Sequence, residues 1–163
     1  MKRLLLPVAG LALVASGFGA GLAVTATAAD DDPAPVSVTR QAWAEMAGPS
    51  GAPKRTLGLS RVVVMPGAQL ARHHHPGTQL GYVAEGVLTY TVETGEARLM
   101  KGPGDDPTLV TVVEPGETVK VRPGRWLQEE QGEVHHAANE GDVPVVIYIA
   151  TLLRTGKPAA IPD

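Results

Sequence analysis

From Leu59 onward the chain is a series of short apolar-rich runs cut by glycine and proline turns. Leu59 to Met65 is rich in β-branched residues and stops at Pro66-Gly67, while Gln79 to Glu85 and Val87 to Glu93 alternate apolar and polar positions toward Gly86 and Gly95. Period-two patterning bounded by turn residues predicts strands. Ala97 to Met100 and Leu109 to Val113 flank a polar loop around Gly102 to Pro107. Glu114-Pro115-Gly116 then leads into Thr118 to Arg122, and Val143 to Leu153 reads as a long final strand. About eight or nine closely spaced strands without a helical period predict an all-β sandwich or barrel, most simply a jelly roll.

The segments on either side of this region read differently. Lys2 and Arg3, the apolar run Leu4 to Val24 and the Ala26-Thr27-Ala28 site have the form of a signal peptide over residues 1–29. The apolar run is near the length that spans a bilayer, but the small-residue site and the abrupt change to Asp30-Asp31-Asp32 and Pro33 favour cleavage. The expected product is a secreted, periplasmic or cell-envelope protein with no membrane insertion after cleavage. Residues 30–58 read as a linker and lead-in, with a turn or two of helix over Gln41 to Ala47. Residues 59–155 form the single domain, and residues 156–163 an irregular tail.

Composition narrows the partners. The formal charge of the 163-residue chain is −3, and loss of Lys2 and Arg3 with the leader makes it more negative. Without clustered Lys and Arg, nucleic acid is not an expected partner. There is no cysteine, so disulfides do not brace the fold. Stability must come from the core, from a bound metal or from an oligomer, and the apolar final strand agrees with a homodimer.

All five histidines fall in two short clusters, His73-His74-His75 and His135-His136, about sixty residues apart. On extended backbone, residues two apart share a face, so His73 and His75 point together and His74 points away. By the same parity Gln79, Gly81, Val83 and Glu85 share a face. A rigid scaffold that joins the clusters would make a metal site, since imidazole binds zinc, copper, iron and nickel alike.

Two spaced motifs resemble those of the cupin superfamily, of the small single-domain kind. The first pattern, G-x5-H-x-H, three or four residues, E-x6-G, falls on Gly67, His73, His75, Gln79 and Gly86, with Gln79 where the glutamate is expected. The second, G-x5-P-x-G-x2-H-x3-N, falls on Gly124, Gly132, His135 and Asn139, with Glu130 in the place of proline. The resemblance implies a jelly-roll β-barrel holding a divalent transition metal (Fe, Mn, Ni, Cu or Zn) on His73, His75 and His135, with Gln79 either ligating or orienting a water or substrate. A set of neutral ligands would leave the ion its full charge and favour Lewis-acid chemistry. Asn139, Glu85 and Glu130 are candidates for the surrounding shell, as are Glu129 and Glu133, any of which could receive a ring N–H from a ligating histidine. The implied partner is a small molecule, and the catalytic residues are unassigned. Function divides between a metalloenzyme, of dioxygenase or isomerase/lyase type, and a non-catalytic metal or small-ligand binding module.

Overall fold

A computed structural model describes residues 37–163. The expected leader at residues 1–29 lies outside them. Among the described residues there is no helix, and hence none long and apolar enough to cross a membrane.

Twelve strands follow one another: β1 (Val38–Ala47), β2 (Arg55–Val64), β3 (Gln69–His74), β4 (Gly77–Glu85), β5 (Leu88–Thr94), β6 (Ala97–Lys101), β7 (Thr108–Val113), β8 (Thr118–Val121), β9 (Arg125–Glu129), β10 (Val134–Ala138), β11 (Val145–Arg154) and β12 (Ile161–Pro162). They build a seven-stranded sheet in the order β1-β2-β11-β4-β9-β6-β7 and a five-stranded sheet in the order β12-β3-β10-β5-β8. Neighbours pair antiparallel throughout. From β2 to β12 the chain crosses from one sheet to the other at every step except the β6–β7 hairpin and is therefore wound as a jelly roll.

The inward faces carry the core. Val62 and Val64 on β2, Val83 on β4, Tyr90 and Val92 on β5, Leu99 on β6, Leu127 on β9, and Val145, Ile147 and Ile149 on β11 form one buried cluster. Its members recur every second residue along their strands, the period that separates the two faces of a sheet.

Local chemistry fixes the strand ends. Gly77 opens β4 where a Cβ would lie 2.3 Å from the Leu152 carbonyl oxygen, so only glycine lets β4 meet β11 there. Gly86 ends the strand with φ at +70°, and a Cβ on it would come within 2.6 Å of the Pro144 oxygen.

Two expectations are corrected. The segment Gln41 to Ala47 is not helical: it belongs to β1, which runs the length of β2 with one bulge at Ala42/Ala44. A helix of two turns here would have few backbone bonds of its own, whereas the edge of β2 offers a partner along its whole length. The tail is irregular only in part. After a turn at Arg154 to Lys157, Ile161 and Pro162 pair with His74 and His73 as β12.

Asn139 clamps two connections of the barrel. Its Nδ2 donates to the carbonyls of Val64, at 2.9 Å, and Val143, at 2.8 Å, and its Oδ1 accepts from Gly141 N at 3.0 Å. Substituting Asn139→Ala strands those buried groups and is expected to lower unfolding stability of the metal-free protein by about 2–4 kcal/mol. Denaturant unfolding measures it, and a loss below about 1 kcal/mol would show that water replaces the amide.

Candidate metal centre

The site is made of two cross-strand pairs, one from each sheet, and one residue in the connection between them. His73 on β3 stands opposite His135 on β10 in the five-stranded sheet. Gln79 on β4 stands opposite Glu129 on β9 in the seven-stranded sheet. His75 follows β3, where the chain crosses toward β4. The potential ligand atoms of His73, His75 and His135 all lie within 4.8 Å of one another. Their ring centroids are 4.5 to 5.1 Å apart.

Each imidazole is turned by a partner behind it. His73 Nδ1 lies 2.6 Å from the Ala71 carbonyl and His75 Nδ1 2.6 Å from the Ala159 carbonyl. A carbonyl only accepts, so both protons sit on Nδ1 and both Nε2 atoms keep a lone pair. His135 Nδ1 faces Glu133 Oε1 at 3.4 Å, and the same carboxylate oxygen accepts from Tyr90 OH at 2.5 Å. The Tyr90 ring also packs against His135, with centroids 5.0 Å apart. A carbonyl or carboxylate behind Nδ1 is the usual support of a metal-binding histidine.

His75, Gln79, Glu129, Glu133 and His135 are each only 3–6% exposed. Buried polar atoms normally find partners. Here His75 Nε2, Gln79 Oε1, Glu133 Oε2 and His135 Nδ1 make no hydrogen bond, leaving Ser60 Oγ as the remaining unpartnered buried atom among the described residues. His135 Nδ1 and Glu133 lie behind the cluster, whereas His75 Nε2 and Gln79 Oε1 belong to it, and an unpartnered imidazole nitrogen beside an amide oxygen fits a divalent transition ion.

Burial holds His73 below the usual histidine range and takes His75 down to about 3. Burial also acts to lower His135, but the carboxylates of Glu129 and Glu133 outweigh it and raise that residue. Glu129 is raised by burial and by the charge of Glu133, against the pull of His135. Burial first, then the two carboxylates, pushes the Tyr90 hydroxyl well above its ordinary range, which keeps it protonated as a donor.

The cluster lines a cavity of about 380 Å³ walled by Val62, Leu70, Val83, Leu127, Ile147 and Ile149. Val38, Arg40 and Arg72 also line it and are exposed, so the cavity reaches the surface on that side. Ala160 and Pro162 of the tail close part of the wall.

The other expected residues stand apart from this cavity's lining. Asn139 is the clamp described above. Glu130 is exposed and accepts from Thr78 Oγ1 at 2.9 Å. Glu85 is exposed as well, because a bulge in the β4–β11 pairing between Glu85 and Val83 breaks the alternation that placed it inward. Its neighbours on the same parity, Gln79, Gly81 and Val83, are buried. His74 pairs with Asp163 at 2.7 Å and His136 with Glu93 at 3.1 Å, both away from the cluster.

Parity along β9 puts Glu129 inward with Leu127, a signal present in Arg125 to Glu129 once the strand is recognised. The role of the Ala159 carbonyl had no signal in residue types, since it is a backbone atom.

In the metal-free protein, the pH dependence of stability follows from His75. Below its unfolded value of 6.5 the unfolded chain takes up a proton that the folded chain refuses until about 3. Stability is therefore lost as pH falls through that window, and a His75→Gln variant is expected to show a shallower loss between pH 7 and 5. Guanidinium unfolding at both pH values reads the slope, and equal slopes would mean that folded His75 takes up its proton over the same pH range as the unfolded chain.

Residues 60–105 match the family model of the cupin domain. Among solved structures, an L-ribose isomerase of Cellulomonas parahominis superposes with a TM-score of 0.55 at 15% identity, covering 76% of this chain and 68% of that one. A Thermus thermophilus protein gives 0.50 at 17% identity, over 74% of this chain and 87% of its own. A cupin superfamily protein of Desulfitobacterium hafniense gives 0.49 at 14% identity, over 72% and 78%. At such identities the likeness concerns the fold. No curated protein matches the sequence.

Proposed function

We propose, on the match of residues 60–105 to the cupin domain, that the chain is a cupin and a small-molecule metalloenzyme holding one divalent transition ion on His73, His75 and His135. The observation that carries this reading is the gathering of three imidazoles whose ligand atoms lie within 4.8 Å of one another, with carbonyls fixing the tautomers of His73 and His75 and a carboxylate standing behind His135 Nδ1. Gln79 belongs to the same centre through its unpartnered Oε1. A bound divalent ion there supplies a Lewis acid that polarises an oxygen of the ligand.

The rest of the cavity describes that ligand. Apolar walls suit a small, mostly apolar body and keep water from the buried end. Arg40 and Arg72 are the cationic residues of the lining, placed to meet an anionic or carbonyl-rich end. An opening lined this way supports an enzyme rather than a closed metal store, and a Lewis-acid role for the ion is the part that isomerase or lyase chemistry would use. The leader-like residues 1–29 support export to the envelope or the medium.

The second partner proposed is another copy of the chain. The outer face of the seven-stranded sheet exposes Trp43, Leu57, Leu59, Leu80, Tyr82 and Leu152 across four adjacent strands. Trp43 lies against Tyr148 on that face at 5.3 Å. A contiguous apolar face of this kind is a protein interface. Light scattering is expected to give a dimer mass for the wild type and a monomer for Leu80→Arg, and a monomeric wild type would remove this partner.

Elemental mass spectrometry of the untagged exported protein tests the centre. About one equivalent of a single transition metal is expected, falling below a tenth in His75→Ala. Metal at that low level in the wild type, not restored by added ions, would leave a vestigial barrel. A loaded protein that turns over no small carbonyl compound in an isomerase and lyase screen would instead be the binding module.

A further inference from the structure

Position 79 supplies no negative charge, yet the centre contains one. Gln79 and Glu129 are register partners across β4 and β9, so their side chains leave the sheet on the same side as immediate neighbours. Gln79 Nε2 donates to Glu129 Oε2. That same oxygen lies 3.4 Å from His75 Nε2 and 3.9 Å from His135 Nε2. The proton of His75 is on Nδ1, held by the Ala159 carbonyl, so its Nε2 turns a lone pair toward a carboxylate oxygen. His135 turns Nδ1 toward Glu133, at 3.4 Å, and Nε2 toward Glu129.

Electron-rich atoms so arranged in a buried pocket repel unless a proton or a metal cation lies among them. Two donors about 2.1 Å from one tetrahedral ion stand about 3.4 Å apart, the separation found between Glu129 and His75. A carboxylate with a purely structural role would be expected to face Lys or Arg. Among the described residues no Lys or Arg pairs with Glu129, and the basic groups within 4 Å of it are the imidazoles of His75 and His135.

We propose that Glu129 is the anionic ligand of the metal centre, delivered from the strand beside the one that carries Gln79, and that Gln79 is a positioning residue that aims it. The inference rests on the metal-binding reading above. It replaces the neutral donor set expected from the sequence with three imidazoles and one carboxylate, so the loaded centre carries one positive charge rather than two.

The test titrates the metal-stripped full chain with Co²⁺, following affinity by calorimetry and ligand set by the visible d–d bands. Glu129→Gln keeps the shape of the side chain and removes its charge. It is expected to weaken Co²⁺ binding by about 100-fold or more and to shift the bands. Gln79→Ala is expected to weaken binding about tenfold with the bands retained, the size of effect typical of a group that orients a ligand. The exchange variant, Gln79→Glu with Glu129→Gln, returns the charge to the same face and should recover affinity to within about tenfold of the wild type. Wild-type bands in Glu129→Gln, or bands that change in Gln79→Ala but not in Glu129→Gln, would overturn the assignment. If the wild type binds Co²⁺ and His75→Ala does not while Glu129→Gln matches the wild type, only Glu129 is lost. If the wild type binds no Co²⁺, the metal centre falls and Glu129 with it.

Discussion

Everything in this barrel depends on holding several lone pairs together at the buried end of its cavity. Nitrogen and oxygen acceptors buried side by side are unfavourable twice over, once through lost solvation and again through mutual repulsion. They stay in place because the frame over-determines their positions. His73 and His135 are locked as one ladder pair and Gln79 and Glu129 as another. His75 is held by a carbonyl from a part of the chain more than eighty residues away. Had these groups come from loops, they would rotate toward solvent and relieve the strain; on paired strands with an apolar cluster behind them they cannot.

The tail shows how far that demand reaches. β12 is only two residues long and has few backbone bonds of its own, too few to justify a sheet edge by itself. Its placement lays Ala159 and Ala160 beside the cavity, where one carbonyl fixes the His75 tautomer. The same short segment brings Asp163 to His74, drawing that imidazole outward. One weak strand thus sorts two adjacent histidines of the triplet, His75 inward and His74 outward. Parity had predicted the sorting from the pleat alone; the tail supplies the hydrogen bonds that maintain it.

The alternation of apolar residues made most of the strands legible, together with the glycines that end them, because burial of one sheet face is a strong and local signal. The strands it left faint were β3, β9 and β10, whose inward positions are His, Glu and Leu rather than a run of Val and Ile. Those are the strands that carry the site, so the function itself erased the pattern. β1 was misread for a different reason: it is exposed along its length as an edge strand, and its sequence carries no buried face to betray the period. Glu85 illustrates a third limit. Counting by twos holds from Gln79 to Val83 and fails across the next bulge, and nothing in residue type announced an inserted residue there. Glu129 and Glu133, placed on equal terms with Glu130 in the sequence, separate only when the β9–β10 turn is built: two face inward and one reaches Thr78.

The glutamine in the first motif also takes on a different meaning in three dimensions. Read along the chain, Gln79 is a loss of charge, and a centre of neutral ligands follows. Read across the sheet, it is one half of a pair whose other half is a buried carboxylate, bonded to it and aimed at the same imidazoles. Neighbouring strands in an antiparallel sheet place opposite residues on one face only about 5 Å apart. A charge moved from one strand to the next therefore travels roughly the span of a metal–ligand shell, and the barrel need not change to accommodate it. What does change is the support. A carboxylate on β4 would stand between the rows of β9 and β11, whereas on β9 it is buried within reach of His135, Glu133 and Tyr90, which act on its ionisation after burial itself. The centre's electrostatics are consequently decided by the β9–β10 side of the barrel, the region where the second motif departs from its usual proline.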